Sequence, residues 1–359
     1  MLMGNKGEWS EVYALLKIVA DGKLYPGDAN LQKVESLFYP VIKILREESS
    51  GTYEFSYDRQ LVLIAHNEEQ FCVPIHEFQH NARLLLAKLK ERTQTTFSIP
   101  AVEEFMDSFG SKTLKARSSS KSDIRLIIHD QKTGLSPELG FSIKSQLGHA
   151  STLLNASGST NFIYKIVGRS LSNKDIEKIN AIDSRSKIKD RLLQINVHKG
   201  RLNFVKIDNA VFENNLVLID SALPRILAEA LMLFYTSELS KVSDLVNKLS
   251  EINPLQYNLQ AGHPFYSYKI KRLLTDVALG MMPSKVWTGQ LEATGGYLVV
   301  KDDGDVLCYH IYNRNEFESY LYENTKLETP SSSRHGFGII EAEGGDFYFK
   351  LNLQIRFCV

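Results

Sequence analysis

The chain has 359 residues, with 42 Lys and Arg against 42 Asp and Glu, 43% hydrophobic residues and 23% charged ones. These proportions suit a soluble globular protein and exclude a disordered, collagen-like or integral membrane chain; no run approaches the ~18 apolar residues that span a bilayer. Residues 1–8 lack the apolar core of a secretory signal, and Cys72, Cys308 and Cys358 fit neither a disulfide framework nor a metal site, which points to a reducing, cytoplasmic compartment.

Residues 8–20 read as an amphipathic helix, with Val12, Leu15, Leu16 and Val19 at helical spacing and Asp21-Gly22 as its end. Residues 30–46 read as a second helical stretch kinked at Pro40. Residues 53–57 and 61–65 look like strands joined by Asp58-Arg59, followed by helices over 76–91 and 101–109. A Ser/Lys-rich loop covers 110–122. Two strands follow, 123–128 and 139–146, with the turn formers Asp130, Gly134, Ser136 and Pro137 between them. Further on, 162–167, 202–207 and 216–219 read as strands, and 182–193, 223–250 and 264–281 as helical. Residues 297–301 and 306–312 read as a hairpin about Gly304, and 347–357 as an alternating strand.

The zero net charge hides segregation. Residues 111–125 carry five cations and only Asp123 as an acid, and 165–201 carry ten Lys and Arg against four acids. Residues 289–359 carry six cations against eleven acids. A basic middle and an acidic end suggest a polyanionic partner for the middle. Lys112, Lys115, Arg117 and Lys121 form a candidate phosphate clamp beside Asp123. Arg185, Lys187, Lys189 and Arg191 read as solvated cations, and Trp9 and Trp287 as core residues.

Asp123 and Lys144 sum to 267, so a symmetric hairpin centred near Gly134 sets them opposite each other on one face with Ser142 and Gln146. An acid, a lysine and two neutral polar groups then converge between apolar positions, where an unexplained Lys is costly. Metal-assisted phosphodiester hydrolysis uses such a set: carboxylates for the ion, a cation for the attacking water and the developing charge. The competing reading is an ordinary cross-strand ion pair.

Ser122-Asp123 followed by Gly140-Phe-Ser-Ile-Lys144-Ser-Gln146 resembles the active site of the PD-(D/E)XK nucleases, with Ser122 for the usual Pro and Ser142 where the second acid would be. Gly4-Asn-Lys-Gly-Glu-Trp-Ser-Glu-Val-Tyr13 resembles the start of the HpaII-type restriction endonucleases. So do the stretch from Gly148 through Thr152-Leu-Leu-Asn-Ala156, the 302–312 hairpin and Asn352-Leu-Gln-Ile-Arg356. The resemblance implies an α/β (α+β) fold with a restriction-endonuclease-like mixed central sheet flanked by helices. Its catalytic domain would span about 1–250, and a mixed α+β C-terminal subdomain from 251 to 359 would grip or read DNA. It further implies a bacterial type II enzyme that cuts double-stranded DNA with Mg²⁺, leaves 5′-phosphates and recognises CCGG or a related short site. A homodimer on DNA, and a cognate methyltransferase acting on the same site without needing to bind, belong to the same picture. Asp123 would hold Mg²⁺ with a second acid, Glu11 first and Glu138 next, and Lys144 would orient the water. Arg334, with His335 beside it, is a candidate for reading guanine.

His76-Glu77-Phe78-Gln79-His80 is a full H-E-x-x-H match and raises a rival, a zinc metalloprotease, with Glu103 or Glu104 as third-ligand candidate. A non-catalytic DNA-binding module is the other alternative.

Overall fold

In chain order the first elements are α1 (Lys6–Asp21), β1 (Lys23–Pro26), β2 (Tyr39–Glu48), β3 (Gly51–Asp58), β4 (Leu61–His66), β5 (Glu69–Pro74), α2 (Ile75–Glu91), α3 (Pro100–Asp107), β6 (Ile124–Ile128) and β7 (Glu138–Ser145). Then come β8 (Thr152–Leu154), β9 (Asn161–Gly168), α4 (Asn173–Asn180), α5 (Lys187–Val197), β10 (Gly200–Ile207), α6 (Ala210–Ile219), α7 (Leu223–Thr236), α8 (Val242–Ile252) and α9 (Phe265–Leu279). The last are β11 (Gly296–Val300), β12 (Val306–His310), α10 (Arg314–Glu323), β13 (Thr325–Leu327), α11 (Ser332–His335), β14 (Ile340–Glu343), β15 (Asp346–Asn352) and β16 (Ile355–Phe357). This computed structural model describes residues 1–116, 122–131, 133–168 and 171–358. The fold is mixed α+β, and none of its described helices is long and apolar enough to cross a membrane.

The chain divides into two compact units: Met1–Ser151 with Leu291–Tyr320, and Thr152–Gln290 with Leu321–Cys358. This differs from the expected division at 250/251. Residues 291–320 group with the first unit because β11 and β12 extend its sheet.

The first unit is built on a nine-stranded sheet in the order β1-β12-β11-β7-β6-β2-β3-β4-β5. β11 runs parallel to β7, from Gly296 opposite Phe141 to Val300 opposite Ser145. One face of the sheet (Ile44, Phe55, Ile64, Leu126, Phe141, Leu298) packs in a single core with Trp9 and Leu16 of α1, Phe78 and Leu85 of α2, and Val102 of α3. Each such side chain contributes roughly 1.5–3 kcal/mol by leaving water. α1 starts at a capping box, in which the Asn5 side chain accepts from Glu8 N and the Glu8 carboxylate accepts from Asn5 N. It ends at Gly22, whose φ of 62° is the left-handed stop foreseen from Asp21-Gly22.

Two stretches differ from the sequence reading. Residues 39–48 are strand, not helix: Tyr39, Val41, Ile44, Arg46 and Glu48 are buried in near-alternation, and a bulge between Val41 and Lys43 adjusts the phase. Pro40 lies near the strand's start, where its carbonyl accepts from His129 N (2.8 Å) and its missing N–H is not needed. Residues 216–219 belong to α6, because the Asn209 side chain caps Phe212 N (3.0 Å) and Phe212, Asn215 and Leu216 share a buried helical face.

In the second unit a four-stranded sheet, β10-β9-β15-β14, sets Phe162, Tyr164, Phe349 and Leu351 in the core, and the Tyr164 hydroxyl donates to Ala228 O of α7 (2.8 Å). A three-stranded sheet, β13-β16-β8, completes it. Arg191 is buried here rather than solvated: it donates to the carbonyls of Gly338, Asn180 and Ile182 at 2.6–2.7 Å. Trp9 and Trp287 are both buried, as expected.

Candidate active site

The β6–β7 hairpin forms, but two residues out of the expected register. Ile124 stands opposite Phe141 and Leu126 opposite Leu139, so Asp123, one residue before β6, lies across from Ser142 rather than Lys144. A slip of two keeps every side chain on its face, so the polar face survives the correction. Asp123 N donates to Phe141 O (2.8 Å). Its carboxylate Oδ2 accepts from the Ser142 hydroxyl (3.1 Å) and from Ile143 N (2.6 Å). The Ser142 hydroxyl and the Ile143 N–H thus orient the acid together, and Ser142 is itself buried.

Glu11 comes from α1. Burial, and then the neighbouring Asp123 carboxylate, push its carboxyl up from 4.5 to about 7, while the Arg46 and Lys115 charges oppose the shift. The first helix therefore brings a second acid within electrostatic reach of Asp123. α1 is held there in part by the Ser145 hydroxyl at the end of β7, which donates to the Ser10 hydroxyl (2.8 Å). Burial lowers the Lys144 ammonium, while the Asp123 and Glu11 carboxylates pull it back up. Its Nζ lies 5.0 Å from the centre of the Tyr297 ring on β11. Gln146 is half-buried at the end of the same face, its backbone N donating to Val300 O (2.9 Å).

The base of the basic loop is tied to the central sheet by a buried polar network. Arg46 Nη2 donates to Thr113 O (2.9 Å) and Leu114 O (2.8 Å), and its Nε lies 3.5 Å from Glu48. Glu48 accepts from the Ser111 hydroxyl (2.6 Å), and the Tyr53 hydroxyl donates to Gly110 O (2.6 Å). Lys115 is not a free phosphate contact: its Nζ is 2.7 Å from Glu8 Oε1. Lys112 is exposed, 3.7 Å from Asp107, and Arg117 and Lys121 lie outside the described residues. Glu138 is not brought to Lys144; it pairs with Arg125, which also binds Glu47 (2.7 Å). In the second unit Arg334 is exposed on α11, and His335 is half-buried with its carbonyl accepting from the Asn161 amide (2.9 Å).

Sequence reasoning missed Arg46 and Tyr297. Arg46 lay in a run read as helix, and Tyr297 in an apolar strand far along the chain. The only signal near Tyr297 is the pair Gly295-Gly296, which marks a close backbone approach.

The H-E-x-x-H residues are on α2 as foreseen, but His76 and His80 are exposed and His76 Nε2 pairs with its neighbour Glu77 (3.3 Å). Among the described residues no three His, Cys, Asp or Glu side chains gather as a metal cluster. The Asp123–Glu11 pair is instead two hard oxygen donors, and burial followed by the Asp123 charge raises Glu11. That chemistry suits a hard divalent metal ion.

The family model for HpaII restriction endonuclease matches residues 5–357. The chain is also 52% identical over 359 residues to the type II restriction enzyme HpaII of Haemophilus parainfluenzae, covering 99% of this chain and 98% of that one. No solved structure matches it.

Proposed function

Since the chain belongs to the HpaII restriction endonuclease family and is a type II site-specific deoxyribonuclease, we propose that the end of the β6–β7 hairpin is its catalytic centre. The nine-stranded sheet of the first unit is then its restriction-endonuclease-like core. The observation that carries the reading is a locked Asp123 with Lys144 on the same face of the hairpin, and Glu11 of α1 within electrostatic reach of both. A carboxylate fixed by a hydroxyl and a backbone N–H is preorganised, so it does not reorganise at the moment of reaction.

Asp123 and Glu11 would hold Mg²⁺, which supplies charge neutralisation at the scissile phosphate. Ser142 and Ile143 N aim the Asp123 carboxylate. Lys144 orients the attacking water and stabilises the developing negative charge, and Gln146 lines the same face. Hydrolysis leaves a 5′-phosphate on double-stranded DNA, at CCGG or a related short site. Lys112 grips backbone phosphate, and Lys115 does so once displaced from Glu8. Arg334 and His335 are the base-reading candidates of the second unit. A homodimer would place one such centre on each strand, and a cognate methyltransferase would act on the same site. The setting is the bacterial cytoplasm.

Digestion of plasmid DNA with Mg²⁺, followed by sequencing of the ends, tests the reading. Cuts at one short repeated site, lost in Asp123→Ala and Lys144→Ala while DNA binding persists, are expected. Wild-type rates in either variant would overturn the assignment.

A further inference from the structure

We propose that Tyr297 is a positioning residue of the cleavage reaction, its ring face holding the Lys144 ammonium in the orientation catalysis uses. The inference rests on the role given to Lys144 above.

The Lys144 Nζ stands over the Tyr297 ring at 5.0 Å from its centre, inside the ~6 Å range where a ring quadrupole attracts a cation. Desolvation strengthens such an attraction, and both partners are withdrawn from water: Tyr297 is 3% exposed and Lys144 is half-buried. Backbone pairing explains the contact. β11 lies parallel to β7 with Tyr297 beside Ser142 and Val299 beside Lys144, so Tyr297 and Lys144 are diagonal neighbours on one face.

The ring is also held still. Its edge meets Phe317 at 5.4 Å between centres, with the planes at 72°. The strand beneath it is seated by two glycines. A Cβ at Gly295 would come within 2.7 Å of the Phe141 ring, and one at Gly296, where φ is 107°, within 2.1 Å of Tyr309 O. That approach brings the ring under an ammonium that would otherwise have a floppy four-carbon stem. A rigid aromatic floor therefore does for the lysine what Ser142 does for Asp123.

The test replaces Tyr297 with Phe and, by unnatural-residue incorporation, with pentafluorophenylalanine. Both rings lack the hydroxyl and have nearly the same shape, but fluorination reverses the quadrupole. Single-turnover cleavage at saturating duplex DNA with Mg²⁺ gives the rate, and binding of the same duplex with Ca²⁺ in place of Mg²⁺ gives the affinity. The fluorinated protein is expected to cleave roughly tenfold more slowly than Tyr297→Phe, with the same DNA affinity and melting temperature. Equal rates would overturn the proposal, since a space-filling ring would then suffice, and so would a difference carried by affinity alone. Lys144→Ala is run alongside. If it still cleaves, the lysine's role falls and the ring's with it. If it is inactive while the two rings give equal rates, only the ring's role falls.

Discussion

Replacing Glu11 by Gln should make the metal-free protein more stable at pH 8 while destroying its activity. In the folded chain this carboxyl binds its proton more tightly than in the unfolded chain, at about 7 against 4.5, through burial and the Asp123 charge. Its contribution to stability is fully present below the unfolded value and is lost as pH rises through about 7. The tighter proton binding is equivalent to about 3 kcal/mol of folding free energy. Glutamine has no proton to lose, so it escapes that loss. The melting temperature of Glu11→Gln relative to wild type, followed in EDTA from pH 5 to pH 8, should therefore climb with pH. Every other titrating group is present in both proteins, so the difference reports Glu11 and the groups coupled to it, Asp123 among them. A difference that stays flat from pH 5 to pH 8 would refute the reasoning, because Glu11 would then be neither buried nor held beside another carboxylate. Adding Mg²⁺ should reverse the order, as the ion stabilises only the protein with both acids.

Assayed for cleavage side by side, Glu11→Gln should lose activity, while Glu138→Gln should retain it because that acid serves Arg125 and sits away from Lys144. Arg46→Met should lower stability by about 3 kcal/mol, since it leaves Glu48 buried without its cation; urea unfolding checks this. Gly296→Ala should destabilise by more than about 1 kcal/mol in the same measurement, because φ is 107° and the added carbon would meet Tyr309 O. His76→Ala and His80→Ala should cleave DNA at the wild-type rate, and metal analysis should find no stoichiometric zinc.

Local signals carried much of the fold. The 8–20 helix, the hairpin through Arg59 and the 297–312 hairpin all appear because capping, turn chemistry and alternation each act over a few residues. Residues 39–48 were illegible for a physical reason. A bulge and two buried charged side chains, Arg46 and Glu48, break the period-2 pattern that marks a strand. The polar face was legible because it depends on parity alone. The register was not, because the ladder, with Ile127 opposite Glu138, is centred one residue before the point near Gly134 that the spacing suggested. Glu11 could be named as a candidate, but only the docking of α1 puts it near Asp123. Arg46 and Tyr297 were invisible because their roles depend on neighbours far along the chain.

The parallel strand β11 also bears on when the proposed catalytic centre can be assembled during synthesis. β7 carries Lys144, yet its outer neighbour in the sheet is encoded after the whole of residues 152–290. A nascent chain that has made Asp123, Glu11 and Lys144 still has an open sheet edge beside the lysine, and long-range pairings of this kind form late. On the reading proposed above, the centre is completed only once residues 152–290 of the second unit have been translated. Truncated products that stop before Gly296 should then be harmless to the cell's own DNA, a safeguard written into the order of the strands.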